Sequence, residues 1–144
     1  MISKLYFPDQ YEGILVGSLR LTLAIIFIWF GMLKILGYNP VFDLIYYSMV
    51  PWFAFGSGLI TLGVVETLIG LLLLTNRFIL FTHIVLLVHL LGTFSTFIFG
   101  WHVVFNPHFP IFSLDGEFVI KNIVLVLSGL VVLAYEANRK HKKI

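Results

Sequence analysis

The chain has 144 residues, 60% of them hydrophobic and 11% charged, with a formal net charge of +2 and a mean hydropathy of +1.03. Soluble domains carry about 25% charged residues, so this balance places most of the chain in lipid and leaves no room for a separate soluble catalytic domain. Cysteine is absent, which excludes disulfides, thiol nucleophiles, Cys-ligated zinc and iron–sulfur clusters, and the small net charge points to no nucleic-acid partner.

The first twelve residues form a polar-aromatic lead whose only cation is Lys4. No cleavable signal peptide is expected, because the first apolar stretch follows Asp9 and Glu12 and is too long for an h-region. Four spans are predicted, over residues 13–37, 57–75, 78–100 and 118–136, close to the roughly 20 residues that cross a bilayer as a helix. The predicted fold is an all-α integral membrane bundle of four transmembrane helices, forming one domain over residues 1–144.

Span one carries Gly13, Gly17, Arg20, Ala24, Phe27, Gly31 and Lys34 at alternating steps of four and three. That is the spacing of a helix seam, and small residues on a seam let backbones approach in a membrane. The connection to span two is rich in aromatic residues. Asn39-Pro40 reads as an N-cap followed by Pro at the first helical position. It is predicted to open a short interfacial helix over residues 41–50, with Asp43 in its first turn and Pro51 as its stop.

Span two contains one acid, Glu66, flanked on its face by Gly63 and Gly70. A turn at Thr75-Asn76-Arg77 follows. Span three holds His83 and His89, about 120° apart around the helix, with Thr93, Thr96 and Gly100 on the His89 face. The second long loop contains His102, His108, Asp115 and Glu117, and its Asp115-Gly116 pair reads as a turn. Span four carries Lys121, Ser128 and Tyr135 at steps of seven, and a basic tail follows from residue 136.

The two long loops contain no Lys or Arg, whereas the lead, the Asn76-Arg77 turn and the tail hold six cations. The positive-inside rule then puts both termini on the cytoplasmic side. A cation in hydrocarbon is costly unless the protein answers it. Depth counted along the helices puts Arg20 about 7 Å to the cytoplasmic side of the first span's middle, within a snorkelling side chain's reach of Glu66. An Arg20–Glu66 pair is therefore the expected polar centre, bracketed by His83 and His89. Lys34 and Lys121 are expected near the outer ends, answered by headgroups or by Asp43, Asp115 and Glu117. Together Arg20, Lys34, Glu66, His83, His89 and Lys121 form the candidate polar interior. Haem needs a ligand on each side, and only span three has intramembrane histidines; no metal site is expected.

Three motifs extend this reading. RLTLAIIFIWFGMLKILGY (residues 20–38) opens on Arg20 and closes with Gly31-x-x-Lys34; GVVETLIG carries Glu66; DGEFVIKNIVLVLSGLVVL (residues 115–133) carries Lys121 and Asn122. Together they resemble the DoxX family (DoxX/DoxD-like) of small four-span membrane proteins, over nearly the whole chain. The resemblance implies a multi-pass protein of the cytoplasmic (inner) membrane. Some relatives are subunits of a thiosulfate:quinone oxidoreductase, and others are linked to oxidative or halogen stress.

The expected function is a membrane subunit or module in redox physiology, with a quinone or lipid site in the bundle and quinone as the one cofactor suggested. Any catalysis is that of an oxidoreductase subunit acting on quinone, and the lack of cysteine bars thiol chemistry. Two alternatives stand beside it. One is a non-catalytic accessory or scaffold subunit that joins other membrane subunits or a second copy of itself. The other is a small transporter or proton path through Glu66 and the histidines.

Overall fold

The structure is a computed structural model that describes residues 9–141, with side chains described over residues 11–139. Lys4, Lys142 and Lys143 of the predicted topology signal lie outside the described residues, as does the side chain of Lys140. Helices run over Asp9–Ile35 (α1), Phe42–Tyr46 (α2), Gly56–Thr75 (α3), Ile79–Phe94 (α4), Thr96–Phe99 (α5), Trp101–Val104 (α6) and Leu114–His141 (α7), with a 3-10 turn at Pro51–Ala54. Four helical stretches are long and apolar enough to cross a membrane: Tyr11–Ile35, Gly56–Thr75, Ile79–Phe99 and Leu114–Arg139. They close a ring in which α1 contacts α3, α3 contacts α4, α4 contacts α7 and α7 returns to α1.

Glycine sets the tightest of these contacts. A Cβ on Gly63 would lie 2.6 Å from the Gly31 carbonyl, and one on Gly70 would lie 2.7 Å from the Ala24 carbonyl. Backbones at this separation gain dispersion contact that larger side chains would forbid. The seam predicted for α1 is buried at Ala24, Phe27, Gly31 and Lys34. Nearer the termini it loosens: Gly13 faces the Tyr135 hydroxyl, and Gly17 has open space beside it. Leu23, Phe27, Ile69, Leu73, Leu86, Leu90 and Val132 form the apolar centre. Large apolar side chains such as Ile25, Trp29, Leu68, Val88 and Val124 point outward, as a surface solvated by lipid requires.

The segment between α1 and α3 folds as a strap over one end of the ring. Its helix is shorter than predicted and starts later. Val41 occupies the N-cap without a side-chain hydrogen bond, while the Asn39 amide donates to the Ala54 carbonyl at 3.2 Å. Asn39 therefore ties the base of the strap to its far end instead of capping α2. Ser48 ends the helix, donating to the Ile45 carbonyl at 2.7 Å and accepting from the Val50 amide at 3.1 Å. These local bonds replace the next helical turn. Asp43 lies in the first turn of α2, as its position implied.

Two hydroxyls at the break between α4 and α5 hold the strap down. Thr96 donates to the Leu44 carbonyl at 3.0 Å, and Ser95 accepts from the Met49 amide at 2.9 Å. Span four also starts earlier than predicted. Ser113 accepts the Gly116 amide at 2.9 Å, which is N-capping geometry. Asp115-Gly116 consequently forms the first turn of α7 and not a loop turn. An aromatic cluster of Trp101, Phe105, Phe109 and Phe112 covers the same end, with ring centroids 4.4 to 5.9 Å apart.

Candidate intramembrane ligand site

Glu66 is the centre of the buried charge, but its partner is Lys34. The Lys34 ammonium lies 2.7 Å from Glu66 Oε2, with side-chain exposures of 3% and 6%. His89 Nε2 lies 3.2 Å from Glu66 Oε1. One carboxylate is thus shared between a cation from α1 and an imidazole from α4. Lys34 also sits over the Phe30 ring, 5.7 Å from its centroid, and Phe27 meets the His89 ring edge-on at 5.6 Å.

The expected Arg20–Glu66 contact does not form. Arg20 Nη1 pairs instead with Glu136 Oε1 on α7 at 2.9 Å. Side-chain direction is the cause. A helical side chain leans toward its own N-terminus. Lys34 therefore leans back from the loop end into the bundle, and Glu66, on the antiparallel α3, leans up toward it. Arg20 leans the same way as Lys34, but from a position nearer the termini that carries it away from Glu66, and there Glu136 reaches inward to meet it. Depth counted from backbone positions alone misses this, and it also pairs Lys34 with headgroups or the loop acids instead of Glu66. The glycine contact places the pair: a Cβ on Gly63 would lie 2.9 Å from Lys34 Cβ.

Beside Lys34, Glu66 and His89 lies a cavity of about 350 Å³, within the range typical of small-molecule sites. Its walls come from all four spans and the strap. Ile26, Phe27 and Phe30 of α1, Leu62 of α3, Leu90 of α4 and Phe118 and Leu125 of α7 make it mainly apolar. Leu44, Ile45 and Val50 of the strap line its end beneath the strap. Asn122, only 6% exposed, brings an amide to the wall from α7. Lys121 also borders it, largely exposed and paired with Glu117 at 2.8 Å.

Of the six candidate interior residues, Lys34, Glu66, His89 and Lys121 border this cavity, while Arg20 and His83 do not. His83 is buried on the other side of α4, with Nδ1 2.7 Å from the Ile79 carbonyl and Nε2 without a protein partner. His102 meets the Tyr47 ring edge-to-face at 4.6 Å, and His108 is exposed. Among the described residues, no three His, Asp or Glu side chains converge to hold a metal ion.

Sequence reasoning passed over two residues. Glu136 looked like the start of the basic tail, and Asn122 was only part of a motif. Both are buried with Gly129 on one face of α7, and the seven-residue steps 122, 129 and 136 were the available signal.

No family model, curated protein or solved structure matches the chain.

Proposed function

We propose that the protein is a DoxX-like four-helix module of the cytoplasmic (inner) membrane that binds a lipid-soluble ring compound, a quinone among them, in the cavity beside Glu66. Both termini face the cytoplasm, and the strap and the loop before α7 face outward. The cation-free loops and the cations of the lead, turn and tail support this orientation. In this reading the protein serves redox or oxidative-stress physiology as the membrane-embedded subunit that holds the ring.

One observation carries the binding reading. An apolar cavity of about 350 Å³ is bordered by a buried Lys34–Glu66–His89 cluster. A helix-register lock needs the ion pair but not the space. Apolar walls with a few placed polar groups match what a ring with one or two oxygen substituents requires. Aromatic side chains from two walls, Phe27 and Phe30 of α1 and Phe118 of α7, supply flat surface for it.

The test is extraction of the protein in native nanodiscs, followed by mass spectrometry of the bound small molecules. Wild-type protein is expected to retain quinone or a related ring lipid above its bulk-membrane ratio. Leu62→Trp, which fills the cavity from α3, is expected to lose it. Equal retention in both proteins, at the bulk ratio, refutes the reading.

A further inference from the structure

The four seams between the spans are not filled alike beside the cavity. Between α1 and α3 the backbones approach closely at Gly31 and Gly63. Between α1 and α7, Phe30 meets Phe118 edge-on at 5.9 Å, and one turn further along α7 Lys121 holds its ion pair with Glu117. Leu90 of α4 and Asn122 of α7, both buried, border the cavity on those two helices. The seam between α3 and α4 differs. Toward the termini both helices feed the packed apolar centre, through Val65, Ile69, Val85 and Leu86. Past the Glu66–His89 contact at 3.2 Å, the cavity wall is continued by Leu62 on α3 and by a glycine, Gly92, on α4.

Gly92 stands where the cavity wall turns into the lipid-facing side. At about 100° per residue it lies about 60° around α4 from His89 and about 40° from Val88, and Val88 is exposed. Gly92 is half-buried, and a Cβ on it would have nothing within 4 Å. Gly31, Gly63 and Gly70 each meet backbone, which accounts for them. Gly92 has no such neighbour, although glycine inside a helix weakens it. On the strap side the crevice ends at Met49, whose amide donates to Ser95 Oγ at 2.9 Å.

We propose that this crevice between α3 and α4, bounded by Leu62 and Gly92, is a port through which a hydrocarbon chain on the bound ring runs out into the bilayer. The site then takes chain-bearing ring lipids, and Gly92 keeps the port open. The proposal rests on the ring-binding function above and adds the class of ring compound and its route. The cavity, at about 350 Å³, lies at the small end for ligand sites. It holds a ring but not a chain reaching the bilayer's middle, about half of a roughly 30 Å core. Such a chain must leave between two helices, and hydrocarbon passes a glycine and a leucine more readily than an ion pair.

The experiment uses decylubiquinone and the same benzoquinone ring without its chain, by equilibrium dialysis against protein-loaded and empty nanodiscs. After subtraction of lipid partitioning, Gly92→Leu is expected to bind decylubiquinone at least about tenfold more weakly than wild type, as overpacking of the port requires. Its affinity for the chain-free ring is expected to stay within about threefold. Gly17→Leu is the control: Gly17 also has open space beside it but does not border the cavity, and neither affinity should change. In wild type, a decylubiquinone analogue carrying a diazirine on the chain is expected to label α3 and α4 near Leu62, Val88 and Leu91. This labelling decides the question if Gly92→Leu fails to fold.

Unchanged decylubiquinone binding in Gly92→Leu would overturn the proposal. So would an equal loss of both compounds, which would make the space at Gly92 part of the ring pocket, or labelling confined to α1 and α7. In those cases rings still bind to wild type, and the ring-binding function stands. If neither compound binds above empty nanodiscs, both fall.

Discussion

Removing Glu66 is the sharpest perturbation of this fold. At 2.7 Å, the Lys34–Glu66 attraction is about 6 kcal/mol at an effective dielectric of about 20. Much of that is offset by the desolvation of two ions. What the pair prevents is larger than what it adds: Glu66→Leu strands Lys34 at 3% side-chain exposure, with no other carboxylate on the cavity wall. The expected loss is about 3–5 kcal/mol.

Lys34→Met should cost less, about 1–3 kcal/mol, because His89 remains 3.2 Å from Glu66 and still stands against the carboxylate. The double change Lys34→Met, Glu66→Leu should return to within about 1 kcal/mol of wild type, since neither buried charge is left. Unfolding in mixed micelles, followed by tryptophan fluorescence against the mole fraction of denaturing detergent, gives the three values. Additive losses in the double variant would refute the reasoning, as would Lys34→Met being the more damaging single change.

Three further outcomes follow from the contacts. Arg20→Leu should cost only about 1–2 kcal/mol in the same unfolding assay. Its side chain is 24% exposed, and Arg139 stands 4.0 Å from the Glu136 it leaves behind. Gly63→Ala should destabilise by about 1–3 kcal/mol through overpacking, since the new methyl meets the Gly31 carbonyl; Gly92→Ala, with nothing within 4 Å, should be neutral, and a thermal-melt comparison separates the two. Thr96→Val removes the buried bond to the Leu44 carbonyl at about 1 kcal/mol, and hydrogen exchange should then quicken at Leu44 and Ile45 while α1 and α3 stay protected.

Much of the architecture was legible because lipid restricts the choices. A chain this apolar must satisfy its backbone in helices or a closed barrel, and membrane-length runs broken by Pro, Asn and Gly mark the ends of four helices. The α1 seam and the Gly63–Glu66–Gly70 face were readable for the same reason. Period fixes which residues share a face, and small residues with charges on one face must meet protein. The sequence also singled out Glu66 as the central acid and placed His83 and His89 on different sides of their helix.

Which charge answers which was decided only by the tertiary structure. One-dimensional depth put Arg20 beside Glu66 and sent Lys34 to the headgroups or the loop acids. The antiparallel pairing of α1 and α3 turns Lys34 and Glu66 toward each other, because each side chain leans toward its own N-terminus. The cavity was equally invisible. Its walls come from five separate segments, and the space between them depends on how the strap is hung from Ser95 and Thr96. Periodicity along one helix carries no information about the gap that four helices leave when they close on one another.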